Sequence, residues 1–360
     1  MKMNKNKLKT NPVALLCDLV RIPSISGSEE KIVSYVINHA DDRGFRVERA
    51  GRNVLIRLGI YNGRRLLLNS HLDTVLAQDT WKTDPFEPVV SDGRITGLGA
   101  NDAKGCVTAM LCAAEAVNAQ RLNGELVLAL TVEEETAKTG AGLEWLINRL
   151  GTIDAAVIGE PTGLDICRAQ KGLLILEVQT SGTARHAAHA HNIRGKNAVI
   201  EAARSILAIE DRIPGYDHEL LGSVTCQVTT IQGGKSKNVI PDSCRFTLDI
   251  RTVHGAETED IVSFVTERTG AGVSILSDRM KPMDTDENSG IVQAAVKSRP
   301  GADIIGSATM SDAVWTRHVP TIKVGPGQTE RSHTANEYIS VNELNEGVDF
   351  YTKLIREFLG

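Results

Sequence analysis

Residues 125–135 read ELVLALTVEEE. The stretch from Leu126 to Val132 is a nearly unbroken apolar run of strand length, as expected of a β-strand buried on both faces, the pattern of a parallel, helix-covered sheet. Three glutamates follow it at once. Outward from this run, RRLLLNSH (64–71) and DAAVIGE (154–160) are two more of the same kind, one ending in a histidine and the other in an acid. The segment KGCVTAMLCAAEAVNA (104–119) has helical spacing, and 139–149 reads as another helix. Upstream, Asn11-Pro12 before VALLCDLV reads as a cap, a proline at the first helical position and an amphipathic helix. Ser28-Glu29-Glu30 marks a second helix start, and FRVERA and NVLIRL are short strands. Strands alternating with helices predict an α/β fold with a mostly parallel, helix-covered sheet.

After about residue 170 the texture changes. GLLILEVQTSG (172–182), a helix near 195–211, GSVTCQVTTIQGG (222–234), SCRFTLDIRT (243–252) and a helix near 257–269 follow one another. Apolar and polar residues alternate more clearly here, which predicts an antiparallel sheet with helices on one face. From about 285 the α/β texture returns with IVQAAVKS, ADIIGSA, PTIKVGPG and a long helix near 341–358. The expected organisation is a larger domain, 1–170 and 283–360, interrupted by a smaller α+β domain over 171–282.

The 360 residues carry 40 Lys and Arg against 45 Asp and Glu, a formal charge of −5. Phosphate neutralisation needs a basic excess or a basic face, so nucleic acid is not an expected partner. Aromatic residues make up 4% of the chain, too few for a base-stacking platform. No run of about 18 apolar residues is present to span a membrane. Six cysteines without a C-x-x-C pair form no disulfide framework or zinc ribbon. The basic start MKMNKNKLKT is followed by an apolar run that Asp18 and Arg21 break, with no small-residue cleavage pattern, so a cytoplasmic location is expected.

Acid and histidine clusters recur just after the expected strands: His71-Leu72-Asp73, Asn101-Asp102, Glu133-Glu134-Glu135, Glu160, and Ser332-His333. Each alone reads as a turn, a helix cap or a charged first turn. Together they place two histidines and several carboxylates at strand carboxyl ends, where open α/β sheets bind ligands. Three adjacent glutamates after a buried strand repel one another unless a cation neutralises them. Histidine with carboxylate suits Zn, Co or Mn. One aspartate can bridge two such ions, and a further glutamate can serve as general base. HELLG (218–222) is not a His-Glu-x-x-His site, and GLGAND (97–102) is not a dinucleotide fingerprint.

In order, LLLNSHLDTV, GLGANDAKG, LTVEEE, IGEPT and GPGQTERSHTANEY resemble the co-catalytic zinc amidohydrolases and peptidases. Acetylornithine deacetylase, succinyl-diaminopimelate desuccinylase, carboxypeptidase G, aminoacylase and the hydrolase that releases lysine from an amino-group carrier protein belong to them. The resemblance implies two divalent ions, zinc first and cobalt or manganese as alternatives. Asp102 would bridge them, with His71 and Glu160 on one ion, His333 on the other, and Glu135 a further ligand. Asp73 would orient the centre and Glu134 would be the general base. The family usually reads Asp-Glu-Glu at 133–135; three glutamates here leave that register open. In the inserted lid and dimerisation domain, GTARHAAHA makes His186 the residue that reaches a neighbouring subunit's site in a homodimer, with His189 and His191 as rivals. Asn238 and Arg251 would contact substrate, and Gly325 and Gly327 would line the pocket through backbone N–H groups. A turn role for Asn238 and a surface ion pair for Arg251 stay open. TMSDAVW and the segment around His333 look most like deacylases of arginine and lysine biosynthesis. The expected substrate is therefore N-acetylornithine, or otherwise acetyl-lysine, a carrier-linked lysine, succinyl-diaminopimelate or a dipeptide, the non-enzyme alternative being an inactive amino-acid-binding homologue.

Overall fold

A computed structural model describes residues 9–61, 63–118, 122–136, 138–192, 196–209 and 212–360. The chain divides into two units. One comprises residues 1–168, 285–305 and 311–360, and the other 169–284 and 306–310.

The first unit is built on a sheet whose strands run, side by side, Arg46–Ala50, Asn53–Gly59, Glu125–Thr131, Arg65–His71, Ala155–Ile158, Thr321–Lys323 and Ile166–Gln170. Glu125–Thr131, Arg65–His71, Ala155–Ile158 and Thr321–Lys323 pair in parallel and form the centre. The flanking pairs are antiparallel. Every residue of Glu125–Thr131 is buried, as its apolar run predicts. Alternate residues, Leu66, Leu68, Leu126, Leu128 and Val157, join one large core with the helices Pro12–Val20, Lys104–Asn118, Gly290–Ser298 and Val341–Leu359. Their neighbours Leu67, Val127, Ala129 and Ala156 are equally inaccessible, so the reverse face is covered too.

Asn11 caps the first helix, its Oδ1 accepting from the Ala14 N–H at 3.2 Å, with Pro12 at the first helical position. The helix expected over 139–149 is only Leu143–Ile147. Gly140 lies at φ +67°, and a Cβ on Gly142 would come within 2.3 Å of the Val132 carbonyl. Those residues form a turn pressed against the strand exit and cannot wind into helix.

The second unit is a five-stranded antiparallel sheet in the order Arg212–His218, Gly222–Gly233, Ser243–Thr252, Gly172–Ser181, Gly272–Met280. Phe246, Leu248, Ile250, Leu174, Leu176 and Val178 alternate inward and meet the helices Ala198–Ala208 and Thr258–Thr269 through Ala198, Ala202, Ile261 and Val265. The edge strands Arg212–His218 and Gly272–Met280 carry no strong alternation and were not evident in the sequence. Gly306–Met310 also belongs to this unit, and the Lys171 N–H bonds the Ser307 carbonyl at 2.9 Å.

Candidate metal centre

Because Glu125–Thr131, Arg65–His71 and Ala155–Ile158 run in parallel as neighbours, His71, the Glu133–Glu135 turn and Glu160 emerge at one edge of the sheet. Asp102 stands two residues before the helix Lys104–Asn118. His333 follows the Thr321–Lys323 strand and adopts φ +58°. All of them belong to the first unit.

Asp102 lies between the histidines. Its Oδ1 is 3.3 Å from His71 Nε2 and its Oδ2 3.7 Å from His333 Nε2. Glu134 and Glu160 each bring a carboxylate oxygen to 4.0 Å from His71 Nε2. Glu135 pairs with His333 at 2.9 Å. Two groups thus have donor atoms close enough for one cation, His71 with Asp102 and Glu135, and His71 with Glu134 and Glu160.

Asp73 sits beneath this layer, fully buried. It lies 3.4 Å from His71 Nδ1 and accepts the N–H groups of Glu134 at 3.2 Å and Glu135 at 3.1 Å, and the Ser26 hydroxyl at 2.6 Å. Glu133 turns the other way, to Arg52 and Thr139. Its backbone is left-handed, at φ +60°, and this sends one glutamate of the run away from the other two. The charged first turn of a helix, an alternative for this run, does not form.

Crowding sets the protonation of these groups. Burial and the neighbouring Glu160 push Glu134 well above the usual carboxylate range. Burial and the charge of Asp102 raise Glu160 to about 8. Burial alone would lower His71, but its bonds to Asp102 and Asp73 outweigh it and raise the imidazole well above its ordinary value. His333 is raised to about 9, first by its bond to Glu135. A divalent cation among these groups would restore the charge of both glutamates. Glu160 Oε1 is buried with no hydrogen-bond partner, as a ligand atom aimed at a cation would be. Its donor set of histidine and carboxylate also fits zinc-type chemistry.

Some supporting residues carried no separable signal in sequence. Glu337, 2% exposed, accepts the N–H groups of Asn101 and Asp102 at 2.8 Å each and of Gly99 at 3.2 Å. Burial and the charge of Asp102 raise it to about 8. It lies in HTANEY and Asp312 in TMSDAVW, both quoted above for likeness alone. Asp312 accepts from the Thr131 hydroxyl at 3.1 Å, and burial raises it to about 7.

Gly325 and Gly327 are buried packing positions. The Gly325 N–H bonds the Thr162 hydroxyl at 3.3 Å. A Cβ on Gly327, at φ +93°, would meet Asn101 Oδ1 at 2.4 Å. A Cβ on Gly325 would come within 2.6 Å of Cys106 Sγ, 2.7 Å of the Glu160 carbonyl and 2.8 Å of the Tyr351 hydroxyl, so close packing leaves no room for a side chain at either position.

His186, Asn238 and Arg251 lie in the second unit. His186 is exposed, its ring centroid 5.8 Å from that of His189. The side chain of His191 is outside the described residues. Asn238 accepts from the Ser236 hydroxyl at 2.6 Å. Arg251 forks onto Asp249 with bonds of 2.7 and 3.2 Å.

A two-histidine, multi-carboxylate centre at the carboxyl edge of an α/β sheet defines a metallohydrolase. The chain belongs to peptidase family M20/M25/M40, whose sequence profile it matches over residues 67–357. It is 30% identical to a succinyl-diaminopimelate desuccinylase of Cereibacter sphaeroides, covering 97% of this chain and 99% of that protein. It is 28% identical to succinyl-diaminopimelate desuccinylase 2 of Ruegeria sp., covering 97% and 95%. Among solved structures it resembles the aminopeptidase PepT of Bacillus cereus at TM-score 0.80, with 20% identity over 97% of this chain and 98% of that one. The chain is thus a metallohydrolase of linear amides. No helix among the described residues is long and apolar enough to cross a membrane.

Proposed function

We propose that the chain hydrolyses the amide bond of an N-acyl amino acid, and the placement of Asp102 between His71 and His333 carries this reading. His71, Asp102 and Glu160 would hold one divalent ion, and Asp102, Glu135 and His333 the second, with zinc favoured over cobalt or manganese. Bound there, such ions supply Lewis-acid activation of water and of the scissile carbonyl. Glu134 is the general base. Its carboxylate, 4.0 Å from His71 Nε2 at the edge of the cluster, is placed to take a proton from water and return it to the leaving amine. Asp73 fixes the His71 ring and, through two N–H groups, the turn that carries Glu134 and Glu135.

Two substrates have specific support. The names of the relatives favour succinyl-diaminopimelate, in lysine biosynthesis. TMSDAVW and the segment around His333 favour N-acetylornithine, in arginine biosynthesis. The remaining roles in this reading are a homodimer whose second unit serves as lid, His186 as oxyanion donor across subunits, Asn238 and Arg251 as substrate contacts, and Gly325 and Gly327 lining the pocket. The six cysteines are free and buried, which supports a reducing cytoplasm.

Metal analysis and a panel of acetylornithine, succinyl-diaminopimelate and acetyl-lysine test the reading. Glu134→Gln should keep metal and lose about 10²–10⁴-fold in turnover. No metal and no hydrolysis of any panel member would point instead to an amino-acid-binding homologue.

A further inference from the structure

Arg52 lies in the hairpin between the strands Arg46–Ala50 and Asn53–Gly59 and joins two buried acids. One guanidinium nitrogen bonds Glu29 and another bonds Glu133. Glu29 is 1% exposed and Glu133 4%. Glu29 Oε1 also accepts the N–H groups of Gly27 at 2.9 Å and Glu133 at 3.2 Å. Glu133 Oε2 accepts the N–H and hydroxyl of Thr139. The next hairpin residue extends the grip, because Asn53 Oδ1 accepts the Val132 N–H at 3.1 Å and its amide donates to the Ala141 carbonyl at 2.8 Å.

Three chemically identical side chains in a row can trade places by a small backbone shift. Glu133 differs from its neighbours only in what holds it: a guanidinium fork and Thr139 on one side, a left-handed backbone on the other. Without Arg52 a nearly inaccessible Glu133 carboxylate would face Glu29 with no cation between them. A carboxylate released from this clamp would compete with Glu134 and Glu135 for the metal centre.

We propose that Arg52 is a positioning residue for the hydrolytic reaction. By clamping Glu133 to Glu29 it sets the register of the glutamate run, so that Glu134 and Glu135, and not Glu133, reach the metal cluster. This rests on the roles proposed above for Glu134 and Glu135.

The test compares Arg52→Met, Arg52→Lys and the double variant Arg52→Met/Glu133→Gln. The readouts are kcat, KM, the visible spectrum of the cobalt-loaded protein and amide exchange of residues 132–141 in metal-free protein. Arg52 is 37% exposed, so the substitutions leave the core intact. Arg52→Met should lower kcat about 10–100-fold, the size of effect that supporting groups have on metal sites, with KM little changed. Its cobalt spectrum should change and exchange at 133–135 should quicken. Arg52→Lys should be intermediate, and the double variant should recover the wild-type spectrum because the competing carboxylate is gone. A wild-type kcat and spectrum in Arg52→Met overturns the proposal, as does a double variant as perturbed as the single one. If the wild type hydrolyses nothing in the panel, the functional reading fails, while spectrum and exchange still decide the clamp.

Discussion

Asp102 Oδ1 lies 3.3 Å from His71 Nε2, although 31 residues separate the two in sequence. The other oxygen of the same carboxylate faces His333 at 3.7 Å. Because the two oxygens of this one carboxylate each face a different imidazole, Asp102→Asn should disable both halves of the centre, one of its two oxygens becoming an amide nitrogen. Bound metal, measured by elemental analysis after dialysis, should drop below one ion per chain, and hydrolysis should fall by at least about 10³-fold, comparable to losing a charge-stabilising group. A variant that keeps two tightly held ions would refute the bridging role.

Glu337 supports the same aspartate from below. Its carboxylate collects three N–H groups of the Gly99–Asp102 loop, and it follows His333 by four residues. It thus ties the loop bearing one expected ligand to the segment bearing another. Glu337→Ala leaves three N–H groups without their acceptor. Metal affinity should weaken about 10–100-fold, most at the His333 half. Stepwise titration with zinc, followed by calorimetry, should show the weaker step moving and the tighter one nearly fixed. Equal weakening of both steps would argue for general loss of structure instead.

Much of this was legible in the sequence because burial on both faces leaves a signature that alternation does not. ELVLALTV, DAAVIGE and RRLLLNSH announced the central strands, and their terminal residues marked the sheet edge. Spacing offered less where packing decides. Gly140 and Gly142 shortened the helix expected after Thr139 because of a close approach to Val132, a residue remote from any helical pattern. The glutamate that turns away from the metal cluster, Glu133, is held by Arg52 and Glu29, 81 and 104 residues away in sequence. Glu337 looked like any loop acid, since its three bonds are all to backbone.

Gly327 gives a prediction about packing near the centre. It sits at φ +93°, and a Cβ would press to 2.4 Å from Asn101 Oδ1, which also accepts the Gln328 N–H at 2.9 Å. Gly327→Ala should therefore cost about 1–3 kcal/mol through backbone strain and displace Asn101, the neighbour of Asp102. Both the melting temperature and metal affinity should fall. A variant that melts like the wild type would show that the loop relaxes freely.

The last helix, Val341–Leu359, opens with a capping box that yields a prediction in pH. The Ser340 hydroxyl accepts the Glu343 N–H at 3.0 Å, and the Glu343 carboxylate accepts the Ser340 N–H at 2.8 Å and bonds Arg331 at 2.9 Å. Ser340→Ala should cost about 1 kcal/mol, lowering the melting temperature by roughly 2–4 °C in a unit of this size. Burial raises the Glu343 carboxyl, but Arg331 and the Ser340 N–H lower it by more, so it lies below its ordinary value in the folded protein. Its contribution is therefore full above the ordinary carboxylate pKa near 4.5 and is lost as pH falls through the lower folded value. Glu343→Gln should reduce stability at pH 7 and flatten the acid limb of a melting-temperature profile below the ordinary carboxylate pKa near 4.5. An acid limb as steep as that of the wild type would show that other carboxylates govern acid unfolding.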